Sequence, residues 1–114
     1  MVDVAPERFA ELVTEALDGI PDDLGRLMDN VAVFIDDDSP PRGLLGRYEG
    51  IPLTNRETYG GLAMPDRITI FRLPICARCA DEEEVVEQVR ITVVHEVAHH
   101  FGIDDARLHE LGYA

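Results

Sequence analysis

The residues of this chain whose types and spacing best suit chemistry lie in the segment His95-Glu96-Val97-Ala98-His99. On a helix, positions i and i+4 lie about 40° apart, so both imidazoles would face one side and could bind the same zinc ion. Glu96 is offset by about 100° from His95, so it would hydrogen-bond a water beside the metal rather than bind the metal. The pattern therefore predicts a zinc centre with Glu96 as the general base for attack of water on a carbonyl.

A catalytic zinc site needs a third protein ligand and one open position. Gly102 would let the chain turn back after the helix, which brings Asp105 or Asp104 toward the metal. A final short helix is predicted over residues 104–111, and it would place His109 on the same face as Asp105. His109 is therefore a further candidate, either as the third ligand or as a partner that orients Asp105.

The motif requires a helix, and the sequence predicts one that begins after Asp81 and ends at Gly102. Asp81 is a good capping residue, and Glu84 three positions later completes a capping-box pattern. At about 100° per residue, the apolar side chains form one broad face that would bury the helix in a core. These side chains are Val86, Val89, Val93, Val94, Val97 and Phe101.

The opposite side of this helix is predicted to face a cleft, with Thr92 and Glu96 flanking His95 and His99. His100 points toward the apolar side by the same angular count. We therefore expect His100 to pack in the core or to support the site, and not to bind the metal.

The remaining elements must form a small body that holds the motif helix. The sequence predicts helices over residues 6–17 and 21–28, strands over 31–35, 44–48 and 67–73, and mostly loop over 50–67. Charged and apolar residues alternate in the strand over 67–73, which predicts that one face of the strand is exposed to solvent. Beside the motif helix, this strand could pair with an extended peptide by strand addition. The predicted fold is α+β, a single domain over residues 1–114 with a mixed sheet of about three strands.

The charge and hydrophobicity of the chain limit the kinds of binding partner and the cellular location that we expect. Ten basic and 23 acidic residues give a net charge of −13. Such a surface repels phosphates, so nucleic acids and anionic membranes are not expected as partners. No apolar run approaches the length of a membrane span, and the start Met1-Val2-Asp3 lacks the basic residues of a signal peptide. We therefore expect a cytoplasmic protein.

Two cysteines form a C-x-x-C pattern, Cys76-Ala77-Arg78-Cys79, just before the motif helix. A structural zinc site needs four ligands, and the chain has no second cysteine pair. The pattern around the cysteines is not the repeated βαβ unit of a thioredoxin-like protein. Reduced thiols without a catalytic role are the favoured interpretation, and a local redox-sensitive disulfide is the alternative.

Residues 95–105 match the pattern H-E-x-x-H-x-x-G-x-x-D, with the stretch ITIFRLPI before it and RLHELGY after it. The chain thus resembles the small bacterial zincin-like metallopeptidases, also described as minimal matrix-metalloprotease-like. The resemblance implies a zincin-like fold, zinc as cofactor, a peptide or protein substrate, and zinc ligands His95, His99 and Asp105 with Glu96 as base. Larger metzincins carry a Met-containing turn downstream of the metal, whereas nine residues follow Asp105 here and none is Met.

The leading functional hypothesis is a zinc-dependent metallopeptidase that hydrolyses peptide bonds through a metal-activated water. The alternative is a metal-binding interaction module on a zincin-like scaffold with little or no turnover. A third hypothesis, a metal-free acidic adaptor, would make the histidine pair an ordinary surface feature. Metal analysis of the purified protein separates the third hypothesis from the other two.

Overall fold

The fold comes from a computed structural model that describes residues 2–25, 28, 31–38, 43–50 and 66–110, without the side chains at 23, 24, 105, 108 and 109. The elements of this described part are α1 (Pro6–Asp18), α2 (Asp22–Gly25), β1 (Val31–Asp36), β2 (Gly46–Glu49), β3 (Asp66–Phe71), α3 (Arg72–Ala77), α4 (Glu82–His100) and α5 (Asp105–Glu110). Among these residues, no helix is long and apolar enough to cross a membrane. The predicted loop over 50–67 lies mostly outside the described residues.

The three described strands form one sheet in the order β1-β3-β2. β1 is parallel to β3, whereas β2 is antiparallel to it. The prediction of an α+β fold with a small mixed sheet is confirmed. β3 is the central strand, so the expectation that a peptide could add to this strand was wrong. The expectation that one face of it is exposed to solvent was also wrong. Both sides of β3 are paired, and of its residues only Arg67 is exposed.

α4 is the predicted motif helix, and its first turn is capped as the sequence indicates. The Asp81 carboxylate accepts a hydrogen bond from the Glu84 backbone N–H at 2.9 Å. The Glu84 carboxylate in turn accepts from the backbone N–H of Ala80, also at 2.9 Å. The capping box is therefore present, with its second bond displaced by one residue from the usual partner. These two bonds fix where α4 begins.

α4 packs against the sheet through β2 and β3 and against α1 on another side. Its buried stripe is rotated from the predicted one. Val86 is 41% exposed, because α1 covers only part of the broad apolar face. Thr92 and Glu96 are buried instead of flanking an open cleft, because β2 approaches α4 on their side. The core joins α1, β3, α3 and α4 through Phe9, Leu12, Val13, Ile68, Ile70, Ile75, Val85, Val89, Val93 and Val97.

α3 is an element that the sequence did not suggest, since the predicted strand extended to residue 73. The chain leaves β3 at Phe71 and enters a helical turn at once, with Pro74 in the first turn, where a missing N–H is tolerated. Arg72 at its start is nearly buried and donates to the Asp37 carboxylate and the Val4 carbonyl, both at 2.9 Å. The hydrogen bond from Arg72 lowers the pKa of the Asp37 carboxyl. This link ties the amino-terminal segment to the ends of β1 and β3.

Candidate metal centre

His95 and His99 lie in the last two turns of α4 and point to the same place. Their ring centroids are 4.6 Å apart. One ligand atom from each of His95, Glu96 and His99 can be chosen so that all lie within 4.8 Å of one another. Both imidazoles are half-buried. The structure thus brings these three predicted site residues together.

Glu96 differs from the two histidines in its surroundings. It is only 5% exposed, and its Oε1 atom lies 3.5 Å from Nδ1 of His99. A β-carbon built on Gly46, at the start of β2, would lie 3.1 Å from Oε2 of Glu96. The carboxylate therefore lies between α4 and β2, beside the imidazoles. Such a place is compatible with a base that acts on a water next to a metal, which stays a prediction.

The chain turns at Gly102, just after the end of α4, as the sequence predicts. Gly102 has a φ of 82°, which is left-handed. Its N–H donates to the His99 carbonyl and the Ile103 N–H donates to the Ala98 carbonyl, both at 2.9 Å. This pair of bonds is a Schellman motif, which reverses the chain directly after the second histidine. The chain then continues through Ile103 and Asp104 to the start of α5.

Replacing Gly102 with Ala is expected to lower the free energy of unfolding by about 1–2 kcal/mol, since a β-carbon is disfavoured in the left-handed region. Chemical denaturation measures the change. Gly25 is the matched control, because a β-carbon there meets no atom within 4 Å. Equal stability of the two alanine variants would contradict the role assigned to the Gly102 turn.

The structure narrows the choice of the third ligand. Asp104 is exposed, and its Oδ1 accepts a hydrogen bond from the backbone N–H of Arg107 at 2.9 Å. Asp104 is therefore the N-cap of α5, which disfavours it as a ligand. The backbone of Asp105 begins α5, as the predicted final helix requires. The side chains of Asp105 and His109 lie outside the described part of the structure, so Asp105 stays the predicted third ligand.

A buried polar cluster lies on the sheet side of the site, and we call Tyr48, Asp66 and His100 the Asp66 cluster. The Tyr48 hydroxyl donates to Oδ2 of Asp66 at 2.6 Å, and Nδ1 of His100 lies 2.7 Å from the same oxygen. Asp66 is 1% exposed and His100 is 0% exposed. His100 is buried as predicted, and its ring is fixed one residue after His99. The cluster ties the last turn of α4 to β2 and β3.

Sequence reasoning did not find Asp66 or Tyr48 as partners of His100. Asp66 is the first residue of β3, and 34 positions separate it from His100. A buried histidine does require a partner, which was the one available signal. Nε2 of His100 is buried without a hydrogen-bond partner among the described residues. This fits a ring that carries its proton on Nδ1, since a bare lone pair is easier to bury than an N–H.

Cys76 and Cys79 are both buried and both free. Burial raises the pKa of the Cys79 thiol. Because the thiolate is the reactive form, such a thiol is poorly suited to redox or nucleophilic chemistry. Both thiols are free in the structure, which agrees with the interpretation of the pair as reduced thiols without a catalytic role.

Comparison with known proteins connects the fold with the site. The model of the family of zincin-like metallopeptidases matches residues 28–113, which is well over half of the chain. The chain belongs to the zincin-like metallopeptidase family. No curated protein matches this zincin-like chain. Among solved structures, a conserved hypothetical protein from Thermo thermophilus is similar, with a TM-score of 0.58 and 22% identity, over 86% of this chain and 94% of that one. At this identity the likeness concerns the fold alone.

The residues present fit the zinc ion that the family implies. Two imidazoles separated by one helical turn, with the carboxylate of Glu96 beside them, are nitrogen and oxygen donors of the kinds that zinc binds in catalytic sites. The 4.6 Å between the ring centroids of His95 and His99 leaves their nitrogens within reach of one ion. The zincin-like protein described here therefore has a candidate metal centre at the end of α4.

Proposed function

We propose that this protein is a zinc-dependent metallopeptidase in which Glu96 is the general base. The proposal rests on one observation. Ligand atoms of His95, Glu96 and His99 lie close together near the carboxyl end of α4. The H-E-x-x-H pattern alone gives only the spacing of these three residues along the chain. The geometry adds that the two rings and the carboxylate share one space.

Each residue has a distinct task in this proposal. His95 and His99 would hold the zinc ion, with Asp105 as third ligand. Zinc in such a site supplies Lewis acidity, which acidifies a water and polarises a carbonyl. Glu96 would take the proton of the attacking water and pass it to the leaving amine. The 3.5 Å between Oε1 of Glu96 and Nδ1 of His99 supports this role.

β2 is the strand at which a peptide substrate would bind. It lies at the edge of the described sheet, next to α4. The N–H of Phe71 donates to the carbonyl of Leu45 at 2.9 Å, and Gly46 is the partner of Ile70. Because antiparallel pairs alternate, the peptide groups of Gly46 point away from β3 and toward the outer edge. An extended peptide that added a strand there would pass beside Glu96.

Metal analysis is the first test. Protein purified without chelators and without a histidine tag is expected to contain one zinc per chain by mass spectrometry of the metal. His95→Ala and His99→Ala are each expected to lose it, because two protein ligands do not make a stable zinc site. Asp105→Ala is expected to weaken zinc binding, whereas Asp104→Ala removes only a helix cap and serves as the matched control. A double Cys76→Ala/Cys79→Ala variant should retain the zinc.

Two outcomes would contradict the proposed site. A His95→Ala/His99→Ala double variant that still binds one zinc per chain would place the metal elsewhere. Equal zinc affinity in Asp105→Ala and the parent would remove Asp105 from the ligand set and return His109 to consideration.

The second candidate is a metal-binding module with little or no turnover, and the burial of Glu96 is the observation that favours it. A carboxylate that is 5% exposed has restricted access to water and substrate. Incubation of the zinc-loaded protein with a diverse peptide library, read by mass spectrometry, separates the two candidates. Cleavage supports the peptidase, and zinc binding without cleavage supports the module.

A further inference from the structure

Gly46 lies against the candidate base at a distance that leaves no room for a side chain. A β-carbon built on it would lie 2.7 Å from Cγ2 of Thr92, 3.0 Å from Cγ of Glu96 and 3.1 Å from Oε2 of Glu96. Its φ is not in the left-handed region. Gly46 is therefore required for space and not for an unusual backbone conformation.

Neither neighbour on α4 can move aside freely. Thr92 is buried, and its hydroxyl donates to the carbonyl of Gln88 at 2.8 Å. A β-branched side chain in a helix is restricted at χ1, so its methyl group cannot rotate away without breaking this bond. Cγ of Glu96 is in the middle of the side chain. A methyl group at position 46 would therefore displace the Glu96 side chain, and its carboxylate with it, by a few tenths of an ångström.

We propose that Gly46 is a positioning residue for the reaction, because the space it leaves open fixes the Glu96 carboxylate beside the two imidazoles. This inference rests on the proposed function of Glu96 as general base. Gly46 belongs to the edge strand β2 and Glu96 to α4. Gly46→Ala keeps the peptide groups of β2 and changes no metal ligand, so its direct effect is on the place of the base.

The test is Gly46→Ala in the full zinc-loaded chain. Cleavage of a peptide identified from the library is expected to fall about 10-fold in kcat, less than the roughly 100-fold cost of misplacing a reacting group by about 1 Å. Zinc content is expected to match that of the parent, because the β-carbon meets Glu96 and Thr92 and not the histidines. KM is expected to stay within about twofold of the parent, because the substitution keeps the peptide groups of β2 at which a substrate would bind. A crystal structure of the variant should show the Glu96 side chain displaced from its place in the parent.

Two matched variants separate positioning from stability. Gly25→Ala makes the same chemical change where a β-carbon meets no atom within 4 Å, and its kcat should equal that of the parent. Gly46→Ala/Thr92→Ser removes the methyl group of the tightest contact but keeps the hydroxyl. It should recover most of the Tm lost in Gly46→Ala and little of the kcat, because the contact with Glu96 remains. If Gly46→Ala does not fold, kcat and the position of Glu96 are measured in this double variant instead.

Three results would overturn the proposal. One is an unchanged kcat in Gly46→Ala, and another is a crystal structure of that variant with Glu96 in its original place. The third is recovery of both Tm and kcat in the Thr92→Ser double variant, which would make the role of Gly46 structural. A parent that binds zinc but cleaves no peptide defeats the proposed function instead. The position of the Glu96 side chain in the variant structure still decides whether Gly46 places it.

Discussion

Glu96→Gln is expected to lower the kcat for peptide hydrolysis by about 10²–10⁴-fold while the protein keeps its zinc. The amide has nearly the same shape as the carboxylate, so the packing against Gly46 and Thr92 is preserved. What is lost is the ability to take a proton from the attacking water. Steady-state kinetics and metal analysis on the same preparation measure both quantities. The pairing of lost turnover with retained metal distinguishes a base from a ligand.

The control for this change is Glu87→Gln, an exposed glutamate on the same helix that pairs with Arg90. Its kcat should match that of the parent, since exposed ion pairs contribute little. Loss of zinc in Glu96→Gln would show that Glu96 is a metal ligand. Unchanged hydrolysis in Glu96→Gln would remove Glu96 from the mechanism.

Asp66→Ala is expected to lower the free energy of unfolding by about 3 kcal/mol, the largest effect on stability among the described polar residues. The change removes the acceptor of the buried Nδ1 of His100 and one acceptor of the half-buried Tyr48 hydroxyl. Each unsatisfied buried group costs about 1–3 kcal/mol. Urea denaturation followed by circular dichroism measures the loss.

Asp36→Ala is the matched control, because Asp36 is exposed at the end of β1. Its free energy of unfolding should change by less than about 0.5 kcal/mol. Tyr48→Phe keeps the ring and removes one donor, so its effect should be about 1 kcal/mol. If Asp66→Ala is as stable as Asp36→Ala, the Asp66 cluster does not secure the end of α4.

The features predicted from the sequence are those that depend on neighbouring residues. The capping of α4 by Asp81, the left-handed turn at Gly102 and the shared face of His95 and His99 all follow from spacings of a few residues. Such signals need no knowledge of the rest of the chain. The small mixed sheet also followed, because the strands over 31–35 and 67–73 have strong local patterns.

The features that sequence reasoning missed depend on contacts between distant segments. Strand order is one of them, because nothing in the local pattern of residues 67–73 shows that both of its edges are paired. Likewise, the angular count gave a broad apolar face but not which part α1 would cover, so Val86 was expected to be buried. The approach of Gly46 to Glu96 and the partner of His100 are long-range in the same sense.

The polarity of α4 has an electrostatic consequence for the site at its end. Aligned peptide dipoles place partial positive charge at the start of a helix and partial negative charge at its end. Three glutamates, Glu82 to Glu84, occupy the first turn, and His99 and His100 occupy the last. The helix therefore has anions where its own field favours them, and it offers a negative potential where the two imidazoles meet. A divalent cation at that end would be attracted by the backbone as well as by the side chains.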